Sequence, residues 1–142
     1  MKIKEPKTKT DFEKYYQLRW KMLRKPWHQP KGSERDISDK DSLHIMAVEN
    51  GEVIGCGRGH LNSEEHAQIR YMAVAEEFQR KGIASEILKE LERRLIANGA
   101  KEIILKSRET AVLLYEKNGY KIYKVGEILF GEIKHFWMKK KI

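Results

Sequence analysis

Gln79-Arg80-Lys81-Gly82-Ile83-Ala84 joins two segments of different periodicity. Upstream, Ala67-Gln68-Ile69-Arg70-Tyr71-Met72-Ala73-Val74 reads as a strand. Downstream, Ile83, Ala84, Ile87, Leu88, Leu91 and Leu95 recur at helical spacing. The junction is a strand, a basic turn with one glycine, and a helix N-terminus. Free backbone N–H groups and the helix dipole at such a junction attract anions. Gly82 lets a phosphate approach the backbone, Arg80 and Lys81 add positive charge, and the small Ala84 leaves the first turn uncrowded. Taken alone, the same residues read equally well as a surface turn that happens to be basic, because short glycine motifs recur by chance.

The flanking sequence supplies the rest of the architecture. Asn50-Gly51 separates the strand-like runs Leu43 to Val48 and Val53 to Cys56, the signature of a two-residue hairpin with a type I′ turn. Asn98-Gly99 and Asn118-Gly119 instead follow helical patterns and act as helix stops, the second helix starting near Thr110 with Ala111, Leu114 and Tyr115. Strands follow each stop, at Glu102 to Leu105 and at Tyr120 to Tyr123, and a last strand runs from Ile133 to Met138. Near the start, Ile3 suits a short strand, and Thr10-x-x-Glu13 has the spacing of a capping box. The helix it opens presents Phe12, Tyr15, Tyr16, Trp20 and Leu23 and stops near Pro26. Pro26 to Asp41 reads as a long loop or broken helix. The predicted order is β-α-β-β-β-α-β-α-β-β, an α/β (α+β) mixed sheet with helices against it.

The chain has 142 residues, which suits a single domain over 1–142. With 40% hydrophobic and 35% charged residues it is globular in composition. One cysteine, Cys56, excludes an internal disulfide framework. The longest apolar run, Ala111 to Tyr115, is far too short to span a membrane, and no apolar signal region precedes Lys7, so a cytoplasmic location without membrane contact is expected. A formal charge of +8 favours phosphate-bearing partners. The only dense basic block, Lys139-Lys140-Lys141, reads as a solvated end, and no nucleic-acid-binding motif accompanies it.

Two motifs carry a resemblance. Gln79-x-x-Gly82-x-Ala84 resembles the Q/R-x-x-G-x-G/A signature of the GNAT superfamily of acyl-CoA-dependent N-acyltransferases. Ala111-Val112-Leu113-Leu114-Tyr115-Glu116-Lys117-Asn118-Gly119-Tyr120 is similar to that family's helix-and-turn segment, and the agreement extends from about Leu43 to Tyr123. Glu34-x-Asp36-x-x-Asp39, Gly55-Cys56-Gly57-Arg58, Ile69-Arg70-x-Met72-Ala73-Val74 and the closing Glu132-Ile133-Lys134-His135-Phe136-Trp137-Met138-Lys139-Lys140 also resemble the ElaA-like branch, although the proline usual before the histidine is Lys134 here.

The resemblance implies the GNAT fold, a mostly antiparallel mixed sheet flanked by helices, with acetyl-CoA as acyl donor. It implies that the backbone of Met72, Ala73 and Val74 pairs with the pantetheine arm. Backbone groups around Gln79, Arg80, Lys81, Gly82, Ile83 and Ala84 would hold the pyrophosphate. It places Tyr115 as the acid that protonates the departing thiolate. Arg108, with Ser107 and Glu109 beside it, stands where many relatives have an asparagine that contacts the cofactor. Arg108 either reaches a CoA phosphate or is merely solvated. A homodimer through the last hairpin is an expectation of resemblance alone.

Transfer to an amine also needs the nitrogen deprotonated. His135, Glu64, Glu65 and His66 are the available bases, and His135 is favoured by the branch resemblance. A structural histidine on a strand and a solvated turn at Asn62 to His66 are the plain alternatives. His60 and His66 lack a third ligand, so no metal site is expected. Gly55-x-Gly57-x-Gly59 lies within a strand with no helix directly after it, which excludes a dinucleotide-binding turn. Trp20 suits the core, and Trp27 suits an acceptor wall. Asp36, Asp39 and Asp41 suit either a cationic amine or an ordinary acidic loop, the latter preferred. The expected activity is acetyl transfer from acetyl-CoA to a primary amine of a small molecule or peptide, by direct attack in a ternary complex. The rivals are a non-catalytic acyl-CoA sensor and, behind it, a basic nucleic-acid-binding module.

Overall fold

The computed structural model describes residues 1–142 as one seven-stranded sheet in the order β1-β2-β3-β4-β5-β7-β6. The elements are β1 (Lys2–Lys4), α1 (Lys9–Leu23), β2 (Leu43–Glu49), β3 (Glu52–Leu61), β4 (His66–Val74), α2 (Ile83–Ala97), β5 (Glu102–Arg108), α3 (Val112–Lys117), β6 (Lys121–Leu129) and β7 (Ile133–Lys141). Every neighbouring pair is antiparallel except β4 and β5. The expected element order and mixed-sheet fold class are observed. No helix is long and apolar enough to cross a membrane.

The local signals act as their chemistry requires. Asn50 and Gly51 both take positive φ, 51° and 77°, as a type I′ turn demands. Alternate residues of β2 point to opposite faces of the sheet. Ile45 and Ala47 join the main core beneath α2, while Met46 packs with Tyr15 and Leu18 of α1 on the other face. The apolar stripe of α2 lies against β3 at the three glycines Gly55, Gly57 and Gly59. A Cβ on Gly57 would sit 2.9 Å from both Ile87 and Leu91, so the glycine stripe is what lets helix and strand close together.

Several expectations are corrected. The capping box of α1 is Thr8 with Asp11, because the chain leaves extended geometry two residues before Thr10. Trp20 is half-buried rather than core, its indole donating to Gln29 O at 3.0 Å. The turn from Glu109 to Ala111 is a 3-10 helix, so α3 is only six residues long. Lys139 to Lys141 is no solvated tail: these residues pair with Glu102 to Ile104 of β5, and Lys140 Nζ donates to the Glu92 carboxylate at 3.2 Å.

The largest departure is polar. Arg19, on the helix face read as apolar, is fully buried and donates to Asp39 Oδ1 at 2.7 Å and to the Tyr15 hydroxyl at 2.9 Å. Arg58 of β3, 1% exposed, reaches Asp36 at 2.6 Å and Asp39 at 3.4 Å, and Arg70 donates to Asp36 at 3.0 Å. The segment between α1 and β2 is thereby pinned to the sheet. Asp36 and Asp39 are engaged by arginines, so neither an acidic loop facing water nor a pair free for a cationic amine describes them; Asp41 stays exposed.

Candidate active site

The parallel pairing of β4 and β5 covers only His66–Ile69 against Glu102–Leu105. Beyond Ile69 the two strands separate. Across the β3–β4 ladder the register shifts between Cys56 and Arg58, and Tyr71 adopts φ of 58°, a left-handed conformation that bends β4 away. Beyond Ile69, β4 therefore has no strand partner on its β5 side. That edge is the place where an extended ligand could add main-chain hydrogen bonds.

A cavity of about 340 Å³ occupies the wedge. The end of α1 and the residue after it supply Leu23 and Arg24, β4 supplies Gln68 to Met72, and β5 supplies Leu105 to Arg108. Ala111 and Tyr115 close one side, and Glu127, Leu129, His135 and Trp137 close the other from β6 and β7. Of the residues singled out in the sequence, Met72, Arg108, Tyr115 and His135 converge on this wall. Ala73 and Val74 continue the free edge of β4.

Tyr115 is 6% exposed and lines the cavity, and no hydrogen bond within the chain engages its hydroxyl. Burial pushes the phenol up from its usual value, and the nearby Arg108 charge pulls it back only in part. Tyr115 is thus protonated at neutral pH, a proton donor beside the cavity.

His135 sits opposite Arg108 in the β5–β7 ladder. Its Nδ1 is 3.0 Å from the Ile133 carbonyl oxygen, which makes Nδ1 the protonated nitrogen and leaves Nε2 with a lone pair. Burial, followed by the Lys106 and Arg108 charges, outweighs backbone hydrogen bonding and holds His135 below its ordinary 6.5. Gly126 makes room for it, since a Cβ there would meet His135 at 3.2 Å.

The turn from Gln79 to Ala84 lies outside this cavity, at the start of α2. Gln79 Nε2 donates to Val74 O at 3.0 Å and clamps the turn onto the end of β4. Arg80 and Gly82 take positive φ, 64° and 83°. The backbone N–H groups from Arg80 to Ser85 donate to nothing within the chain. Ile83 turns into the core, whereas Arg80, Lys81 and Gly82 are exposed. Asn118 at the end of α3 donates to Ser85 Oγ at 3.2 Å, tying the helix that carries Tyr115 to the first turn of α2. A cradle of unpartnered N–H groups, the free edge of β4 and a buried phenol therefore follow one another along one side of the sheet.

Residues 12–120 match the acetyltransferase (GNAT) family. The chain belongs to that family. Solved structures share the GNAT fold over nearly its whole length. An aminoglycoside 6′-N-acetyltransferase complexed with coenzyme A superposes with a TM-score of 0.83 at 18% identity, covering 99% of this chain and 97% of the other. A GNAT acetyltransferase from Elizabethkingia anophelis with acetyl-CoA bound gives 0.80 at 21% identity, with 99% and 97% coverage. Escherichia coli ElaA gives 0.82 at 18% identity, with the same coverage.

Sequence reasoning missed Arg24, Gln68, Lys106, Glu127 and Leu129 in the cavity wall. Only Arg24 had an available signal, its place in the first turn beyond the helix, next to Trp27. Trp27 itself stacks on Phe130 with centroids 6.4 Å apart, and the Arg108 guanidinium lies 4.5 Å above its ring. Glu64, Glu65 and His66 do not line the cavity: Glu65 is paired with Lys101, and His66 Nδ1 is 2.8 Å from Ser63 Oγ.

Proposed function

We propose that this chain is an acetyl-CoA-dependent N-acetyltransferase that acylates a primary amine by direct attack in a ternary complex. The observation that carries this is the free edge of β4 running from the Gln79–Ala84 cradle to the unpartnered hydroxyl of Tyr115. CoA bound to GNAT relatives of the same fold supports the same reading.

The chemistry follows from the parts. The unused N–H groups of Arg80 to Ala84, with the charges of Arg80 and Lys81, suit a pyrophosphate. Gln79 holds that turn against β4. The backbone of Met72, Ala73 and Val74 offers strand-like pairing to the pantetheine amides and, next to the thioester, an N–H for the developing oxyanion. His135 Nε2 takes a proton from the incoming ammonium, directly or through water, so that the amine lone pair can form the C–N bond. As the C–S bond breaks, Tyr115 gives its proton to the thiolate sulfur, and the proton released by the acylated nitrogen restores the phenol.

Calorimetric titration with acetyl-CoA, followed by thiol release in the presence of an amine panel, tests the reading. Binding near one site per chain with amine-dependent thiol release is expected. Tight binding without any release would leave a non-catalytic acyl-CoA sensor. A lack of binding at millimolar ligand overturns the proposal.

A further inference from the structure

Four cations and one carboxylate line the cavity between β4 and β5. Arg70 is matched by Asp36 at 3.0 Å, and Lys106 by Glu127, the lining carboxylate, at 2.5 Å. Arg24 and Arg108 have no carboxylate partner. Both guanidinium groups donate to one oxygen, the carbonyl of Leu23, at 2.9 Å from Arg24 Nη1 and 3.5 Å from Arg108 Nη2. A shared acceptor therefore holds two like charges side by side. Arg24 also donates to Ser33 O, but its Nη2, like Nε and Nη1 of Arg108, donates to nothing in the chain. Glu34, the carboxylate whose charge reaches Arg24, is already engaged by the Gly32 N–H and by Arg35.

Aromatic rings fix the pair in place. Arg108 stacks over Trp27, while Arg24 faces the Tyr71 ring at 5.7 Å and the Phe130 ring at 5.8 Å. Burial pulls both guanidinium groups below the ordinary arginine value, and the Arg24 charge pulls Arg108 down further. Two half-buried, adjacent cations without a counter-ion are a costly arrangement, which an anion placed between them relieves. A planar fork with free N–H groups suits a carboxylate in particular.

We infer that the acceptor is an amine that also carries a carboxylate, of the amino-acid or short-peptide class, with the carboxylate held between Arg24 and Arg108. This rests on the acetyl-transfer reading above. Leu23, Met72, Leu105 and Leu129 surround the remaining volume and suit an apolar body. Polycationic amines are disfavoured, because the only carboxylate in the wall, Glu127, is occupied by Lys106.

The test uses the full chain saturated with CoA, so that every phosphate site is filled. N-acetylglycine, N-acetyl-leucine and N-acetylphenylalanine, each against its own amide, are titrated calorimetrically. At least one carboxylate should bind tenfold or more tightly than its amide. The preference should vanish in Arg24→Gln and Arg108→Gln and survive in part in Arg24→Lys and Arg108→Lys. The Kd for CoA should change less than twofold in all four variants. Equal binding of acids and amides, or no binding of any pair, overturns the inference. So does weakened CoA binding with the carboxylate preference intact, which would assign the two arginines to the donor's phosphates. Failure of the wild-type chain to bind CoA would instead overturn the acetyl-transfer reading itself.

Discussion

Arg19 Nη1 lies 2.7 Å from Asp39 Oδ1, with the arginine side chain fully buried and the aspartate side chain 7% exposed. This pair ties the middle of α1 to the turn that precedes β2. Removing the carboxylate by Asp39→Ala leaves Arg19 charged and buried with only neutral partners. The expected loss is about 3–5 kcal/mol, read from urea unfolding curves. An unchanged midpoint would mean that Tyr15 and the Glu34 carbonyl suffice to hold the guanidinium.

The same pair sets a pH dependence. Burial raises the Asp39 carboxyl, but hydrogen bonds from Arg19 and the Asp36 N–H, with the charges of Arg19 and Arg58, outweigh it and leave it below 3.8. A carboxyl lowered on folding stabilises the native state fully above its unfolded value of about 4. That contribution is lost as the pH falls through the folded value. Unfolding free energy measured from pH 6 down to pH 2 should therefore drop below about pH 4, and it should drop less steeply in Asp39→Ala.

Gly57 reports on the helix–sheet contact. A Cβ there would come within 2.5 Å of Met72 Sδ and 2.9 Å of two α2 side chains. Gly57→Ala should destabilise by about 1–3 kcal/mol through overpacking. It should also weaken CoA binding, because Met72 belongs to the free edge of β4. Thermal unfolding and calorimetric titration check the two effects separately.

Tyr115→Phe removes one oxygen that bonds to nothing in the chain, so the fold should be undisturbed. Turnover should fall about 10²-fold or more if the phenol is the acid, while the Kd for CoA stays within twofold. Loss of affinity at constant turnover would make Tyr115 a binding residue instead.

For His135, burial favours the neutral ring, the form that can accept a proton. The acid limb of kcat/KM should therefore lie below 6.5, the ordinary histidine value. Activity falls as the pH drops through the lowered value and the ring becomes charged. His135→Gln should lower the plateau and remove that limb. A limb that persists in the variant would assign the base elsewhere.

What the sequence disclosed was local. Asn50-Gly51, Asn98-Gly99 and the Gln79–Ala84 turn are decided within a few residues, by backbone conformation and by the switch from strand to helix spacing. What stayed hidden depends on distance along the chain. Arg19 sits on an apparently apolar helix face, and its partner Asp39 is 20 residues away. Arg108 meets the Leu23 carbonyl across 85 residues. Lys140 reads as part of a charged tail until Glu92, 48 residues earlier, is brought beneath it. Pattern and propensity carry no information about such pairings, which exist only once the sheet is assembled.

The strand order carries a consequence for biosynthesis. β7 leaves the ribosome after β6 yet lies between β5 and β6. During translation, β6 therefore has no neighbour to join until the residues up to about Lys141 have emerged. His135 and Trp137 reach the cavity only at that moment. The nascent chain can assemble the β1–β5 half before β7 is made, and the wedge is completed only when β7 docks between β5 and β6, so intermediates that lack β7 should capture CoA before they can turn over an amine.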